Sequence, residues 1–132
     1  MQFLHPKGWA PAKGFANGVA ATGRQIFVAG QVGWNAQQRF ESDDFVAQVE
    51  QALANIVAVL AEADARPEHL VRLTWYITDK REYLARLPEV GGVYRRTIGR
   101  HFPAMSLVQV AALLEDRAKV EIEATAVVAS AP

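Results

Sequence analysis

The stretch HFPAMSLVQVAALL at residues 101–114, followed by KVEIEATAVV at residues 119–128, decides the fold of this chain. The two apolar runs flank a polar tetrapeptide at residues 115–118, a pattern typical of an antiparallel hairpin. In the second run, apolar and polar residues alternate. This alternation predicts a strand with one face in the core, and it places Glu121 and Glu123 together on the other face. One of these carboxylates could then face a cleft.

The preceding sequence adds strands and a long helix. We expect a short strand near residues 18–21, a hairpin turn at Gly23-Arg24, and a strand at residues 25–29 that Gly30 ends. Ser42-Asp43-Asp44 predicts a helix start, with the serine hydroxyl as the cap. An apolar repeat with a period of 3.6 residues continues this helix to about Ala63.

The middle of the chain predicts an inner strand and an interrupted helix. Residues 69–78 (HLVRLTWYIT) are apolar or aromatic on both faces, which indicates an inner strand covered by a helix on one side and by a neighbouring subunit on the other. Residues 81–100 favour helix but contain Pro88 and Gly91-Gly92, so we expect two pieces ending near Gly99. The order β-β-α-β-α-β-β predicts an α+β fold with helices packed on one face of a mixed sheet.

Composition excludes several classes of function. The 132 residues suit a single domain covering 1–132, and 14 basic against 14 acidic residues give no net charge to attract nucleic acid or anionic membranes. The absence of cysteine removes disulfides, thiol nucleophiles and thiolate metal sites. No secretory signal or apolar run long enough to span a membrane is present, so we expect a cytoplasmic protein without a membrane partner.

Several motifs together resemble the RidA/YjgF family of imine and enamine deaminases. They are Gly30-Gln31 after a strand, Asn55-Ile56 inside a long helix, residues 74–79, and the 101–128 region. The resemblance spans about residues 12–128. It implies a chorismate-mutase-like fold and a homotrimer with a small-molecule cleft at each subunit interface, with Gly30 and Gln31 among the ligand-binding residues.

The cleft implied by this resemblance lacks its main polar groups. Where the family typically has Pro-Ala-Arg-Ser, this chain has Met105 in place of the arginine that pairs with the substrate carboxylate. Phe15 replaces a common tyrosine, Ala29 a common serine, and Gly91 lies near a position where asparagine is common. Met105 either fills space at a subunit interface or shapes a pocket for an uncharged or aromatic ligand. The four changes together indicate a changed ligand.

Other candidate site residues follow from the same comparison. Glu121 occupies the position of the family's water-positioning glutamate, the alternative being an ordinary solvent-facing residue of the strand. Trp34 could stack on a planar ligand, and Tyr94 could line the cleft, although both residue types more often serve packing. Arg95, Arg96, Arg100 and His101 form either a solvated helix face or a grip for an anionic ligand tail.

No metal or cofactor is implied. The three histidines are far apart in sequence, and neither a Gly-x-Ser-x-Gly elbow nor a glycine-rich phosphate loop is present.

Two hypotheses therefore remain. The first is a hydrolase that releases ammonia from an imine or enamine other than an ordinary 2-imino acid. The second is a non-catalytic trimeric protein that binds a small metabolite or makes a regulatory contact. Some family members were once described as endoribonucleases or translation inhibitors, but zero net charge makes that function the least favoured here.

Overall fold

The computed structural model describes residues 1–130 as a mixed four-stranded sheet with helices on one face and a small two-stranded sheet beside it. The elements in chain order are β1 Gln2–Leu4, β2 Gly18–Ala20, β3 Arg24–Val32, α1 Phe45–Glu62, β4 Leu70–Ile77, α2 Lys80–Ala85, α3 Leu87–Thr97, β5 Ala104–Gln109 and β6 Val120–Val128. A single 3-10 turn at Pro67–His69 leads into β4. The α+β class and the helix-on-one-face arrangement are as the sequence predicts.

The strand order of the main sheet is β3-β6-β4-β5, which makes β4 an inner strand as expected. β6 runs antiparallel to both β3 and β4, whereas β5 runs parallel to β4. The predicted hairpin between β5 and β6 is therefore wrong, because β4 lies between them. The two helices α2 and α3 form the crossover that a parallel β4–β5 pair requires.

Two further local predictions are wrong. Gly23-Arg24 does not turn a hairpin, because β2 pairs with β1 while β3 pairs with β6. Gly30 does not end its strand, since β3 continues to Val32 through a bulge between Val28 and Gln31. A bulge lets the strand continue while displacing one residue from the regular pairing, which the composition of the strand alone does not reveal.

Helix α1 starts slightly later than predicted, and its cap is Asp44 instead of Ser42. The Asp44 carboxylate accepts a hydrogen bond from the Ala47 amide at 3.0 Å, while the Ser42 hydroxyl accepts one from the Asp44 amide. The Arg86 guanidinium and the Ala47 amide, both bonded to Asp44, lower the pKa of its carboxyl. By length and composition alone, α1 could cross a membrane. In this structure its apolar face packs on the sheet.

The core lies between α1, α3 and the inner face of the sheet. Its fully buried side chains include Leu53, Leu73, Ile77 and Ile122. Gly33 permits the close approach of α1, because a Cβ there would lie 2.6 Å from the Gln48 Cα. The sheet's other face remains open in the single chain, where Phe27 is 72% exposed.

Candidate functional site

The candidate residues fall into two groups on opposite faces of the main sheet. The pairing of β4 with β5 and with β6 determines on which face each residue lies. Met105 pairs with Leu73 and shares the inner face that packs on the helices, whereas Glu121 pairs with Tyr76 on the open face. Because side chains alternate across a strand and a sheet lies between the two faces, Met105 and Glu121 of one chain cannot contact the same small molecule.

The inner group surrounds an apolar cavity of about 390 Å³ between the helices and strands β4 and β5. Three residues singled out from the sequence, Phe15, Tyr94 and Met105, line it, and Gly91 does so too. The sequence pattern does not single out the other lining residues, which are Lys13, Gly14, Trp75, Tyr83, Leu87, Val90, Phe102 and Leu107. The strand members could have been found only from the β4–β5 register, which places Trp75, Met105 and Leu107 on one face.

Aromatic rings form one wall of this cavity. Tyr94 lies nearly parallel to Phe102, with ring centroids 5.2 Å apart, and Trp75 also stacks with Tyr94 at a centroid distance of 6.5 Å. The Tyr94 hydroxyl donates to the His101 carbonyl at 2.6 Å, which fixes the ring. Burial raises the pKa of Tyr94 and that of Tyr83, so both phenols are neutral at physiological pH.

The segment that carries Phe15 is fastened to the start of β5. The Ala16 amide donates to the Pro103 carbonyl at 3.0 Å, and Ala16 forms an isolated parallel bridge with Ala104. Gly14 has a φ of +78°, a conformation that side-chain-bearing residues rarely adopt, and it turns the chain ahead of Phe15. This attachment places Lys13 and Phe15 at the cavity entrance.

The outer group is built around Glu121 and the β3 bulge. A Cβ on Gly30 would lie 2.2 Å from Glu121 Oε2, so the carboxylate occupies the space that the glycine leaves. The Gln31 side-chain amide folds back and donates to the Ala29 carbonyl at 3.0 Å. Glu121 is half-buried, whereas Glu123 is exposed and accepts a 2.7 Å hydrogen bond from the Tyr76 hydroxyl.

The structure does not bring Trp34 to either group. Its ring is tilted against Phe40 with centroids 5.8 Å apart, and it does not line the cavity around Met105. The physical reason is Asn55, whose side-chain amide donates to the carbonyls of Val32 and Trp34 and holds this loop against α1. Within one chain Trp34 therefore contacts neither group, and its stacking on a planar ligand stays a prediction.

Two members of the basic cluster, Arg96 and His101, have partners within the chain. Arg96 pairs with Glu50 at 2.7 Å, while His101 Nε2 turns inward to the Leu70 carbonyl at 2.6 Å. In the part of the chain that the structure covers, no three His, Asp or Glu side chains gather closely enough to hold a metal ion.

Comparison with known proteins identifies the family. The model of the family described as Endoribonuclease L-PSP matches residues 7–128. A structure of the conserved Rid family protein YyfB from Yersinia pestis, itself described as of unknown function, superposes with a TM-score of 0.85 at 33% identity, covering 96% of this chain and 98% of that one.

The chain belongs to the RidA/YjgF family.

Other RidA/YjgF relatives have names that describe a reaction or a ligand. The Escherichia coli 2-iminobutanoate/2-iminopropanoate deaminase is 32% identical over 108 residues, covering 80% of each chain. The structure of Escherichia coli TdcF with bound serine has a TM-score of 0.69 at 28% identity and covers 98% of this chain and all of that one. The RidA/YjgF architecture predicted from the sequence is thus confirmed.

Proposed function

We propose that this protein hydrolyses a reactive imine or enamine in the cytoplasm, releasing ammonia in a cleft between two copies of a homotrimer. The observation that carries this proposal is the placement of Glu121. Its carboxylate lies at the Gly30 bulge on the face opposite the Met105 cavity. Neighbouring copies can bring the Glu121 face of one chain against the cavity mouth of the next, which one chain alone cannot do.

The chemistry requires only water and a proton acceptor. The water oxygen bonds to the imine carbon while the C=N π electrons move to nitrogen, and Glu121 accepts the proton that the water loses. Glu121 returns that proton to the nitrogen, which gives the neutral carbinolamine. The carboxylate then takes the hydroxyl proton and passes it to the nitrogen while the C–N bond breaks and the C=O bond forms. Both water protons end on ammonia, so atoms and charge balance without an oxidant or cofactor.

Met105 argues against an ordinary 2-imino acid as the substrate. Its thioether is half-buried in the cavity wall and cannot provide the paired charge-assisted hydrogen bonds with which a guanidinium binds a carboxylate. The related deaminase named for 2-iminobutanoate and 2-iminopropanoate supports the reaction class, while the apolar cavity favours a different substrate.

Ammonia release from an imine generated in place by an amino-acid oxidase tests the proposal. We expect Glu121→Gln to lower the rate by about 100-fold or more, the range typical of a lost general base. Glu123→Gln is the matched control, because it lies on the same face of β6 and its amide can still accept the Tyr76 hydrogen bond. Equal rates for wild type and Glu121→Gln would refute the role of Glu121.

The 2-iminopropionate substrate adds a test of position 105. Met105→Arg should act on 2-iminopropionate better than wild type, since the guanidinium restores carboxylate binding in an intact catalytic frame. If Met105→Arg releases ammonia from 2-iminopropionate no faster than wild type, cleft residues other than 105 must also differ from those of the family.

Subunit mixing tests whether the site is shared. Met105→Trp fills the cavity and Glu121→Gln removes the carboxylate, so each variant should be inactive alone. A mixed trimer contains one interface at which an intact cavity meets an intact Glu121, and activity should return after mixing and reassociation. Absence of recovery in verified mixed trimers would contradict the two-copy site.

A binding protein without catalysis is the second candidate, and Met105 favours it because the family's charged anchor is missing. A ligand that raises the unfolding temperature without any ammonia release, in wild type and Glu121→Gln alike, would support this alternative.

A further inference from the structure

We propose that the Met105 cavity binds an aromatic acid, with its ring inside and its carboxylate at the entrance beside Lys13. This inference rests on the proposed function and specifies its substrate class. In this arrangement the ligand carboxylate contacts Lys13, in the segment that precedes Phe15, and not the residue at position 105 on β5.

The cavity walls suit a flat ring. Trp75, Tyr94 and Phe102 form a continuous stack whose successive planes differ by 24° and 8°, and Phe15 adds a fourth ring at the mouth. Offset stacking and edge contacts with aromatic walls favour planar ligands over branched aliphatic ones. The volume of about 390 Å³ exceeds the needs of a two- or three-carbon imine and accommodates a phenyl or indole ring with a short chain.

Trp75 adds a polar feature to this apolar wall. The ring is 4% exposed, and its Nε1 is the buried side-chain polar atom that lacks a hydrogen-bond partner within residues 1–130. A buried donor without an acceptor destabilises the fold. Since Trp75 lines the cavity, this unsatisfied donor belongs to the wall of the proposed ring site.

Lys13 supplies the charge. Of the residues that line the cavity, it is the only one with a formal charge, and its ammonium forms no ion pair within the described chain. The hydrogen bond from the Ala16 amide to Pro103 fixes its segment beside Phe102. A carboxylate at the entrance would therefore remain partly hydrated while it pairs with Lys13, and the ring would enter the apolar interior.

Calorimetric binding of two probes tests this orientation. The probes are 3-phenylpropanoate and its neutral amide, which share a ring and chain length but differ in charge. For wild type we expect the acid to bind about two- to fivefold more tightly than the amide at low salt, the range for a partly exposed ion pair. Raising the salt concentration should reduce this preference.

Lys13→Gln should abolish the preference for the acid while leaving the affinity for the amide unchanged. Lys7→Gln is the matched control, because Lys7 is an exposed lysine six positions earlier that does not line the Met105 cavity. Tryptophan fluorescence locates the site. The change in emission on ligand binding should disappear in Trp75→Phe and persist in Trp34→Phe.

Equal affinities for the two probes in wild type, a preference that survives Lys13→Gln, or no binding of either probe would each overturn the inference. These results do not depend on turnover. Glu121-dependent ammonia release from another imine would still support the proposed function if probe binding failed, whereas probe binding without ammonia release would support only this inference.

Discussion

Glu121 Oε2 lies so near Gly30 that a single methyl group on the glycine would be 2.2 Å from it. Glycine is therefore needed at the β3 bulge for the carboxylate to lie where it does, and any side chain there must displace it. Gly30 acts as a positioning residue for Glu121 in the proposed reaction.

We expect Gly30→Ala to lower kcat for ammonia release by about 100-fold, the scale of loss for a catalytic group displaced by about 1 Å. The fold should persist, because Glu121 can rotate toward the open face. Gly92→Ala is the control: its Cβ would meet only the end of Arg96 at 3.6 Å, and alanine should stabilise α3 by about 0.5–1 kcal/mol. Unchanged kcat in Gly30→Ala would contradict the positioning role.

Gln48 is the main buried polar side chain of the core and connects α1 to the segment before β6. Its amide donates to the Ser42 and Arg117 carbonyls, and its oxygen accepts from the Lys119 amide at 2.8 Å. Gln48→Met keeps the volume but leaves three backbone groups unpaired. We expect it to reduce the free energy of unfolding in urea by about 2–4 kcal/mol.

Gln51→Met is the comparison for Gln48, because Gln51 makes one side-chain hydrogen bond, to Asn55. Gln51→Met should lower the free energy of unfolding by less than about 1 kcal/mol. Similar losses in the two variants would show that the buried hydrogen bonds of Gln48 contribute no special stability.

The pKa of Asp44 is lowered by its hydrogen bonds to Arg86 and to the Ala47 amide, from an ordinary value of 3.8. A lowered folded-state pKa contributes stability above the unfolded-state value, and this contribution is lost as pH falls through the folded-state pKa. Asp44→Asn retains a good helix cap without the charge. The stability difference between wild type and Asp44→Asn should thus be present at neutral pH and shrink as the pH falls below 3.8 in denaturant titrations. A stability difference between the two proteins that does not change with pH would contradict this role of the Asp44 charge.

The open sheet face should be the trimer contact. Phe27 lies on this face, opposite Thr125 in register, and is 72% exposed in the single chain. Phe27→Glu should convert a trimer to smaller species in sedimentation experiments, because burying a carboxylate at an apolar interface is costly. Leu114→Glu, on an equally apolar residue that is 92% exposed outside the strands, should leave assembly unchanged. Trimers that persist in Phe27→Glu would place the interface elsewhere.

The sequence predicted the strands better than their pairing. The alternation of Val120, Ile122 and Ala124 with polar residues identifies β6 and its two faces, because period and burial are local properties. It does not identify the partner strand. A hairpin between β5 and β6 needs only a short loop, but the parallel β4–β5 pair places β4 between them, and that choice depends on packing of α2 and α3 over the sheet.

The sequence indicates only some of the residues at the candidate site. The others depend on how distant segments pack, which local patterns do not show. Family resemblance pointed to Phe15, Met105 and Tyr94, which do line one cavity. Lys13 and Trp75 were missed as its contributors, since the path of the loop around Gly14 and the register of β4 are not visible in local patterns. The sequence marks Asn55 only as part of a motif, yet its two hydrogen bonds attach the loop that carries Trp34 to α1.

The position of β6 determines when the protein can fold during synthesis. This strand is synthesised after the other strands of the main sheet, yet it is the shared neighbour of β3 and β4. Until Val120–Val128 has emerged, β3 has no partner in the main sheet and the apolar face of α1 has an incomplete surface to cover. The apolar segments made earlier therefore stay exposed until β6 is available, so the main sheet forms late in synthesis and its precursors carry aggregation-prone surface.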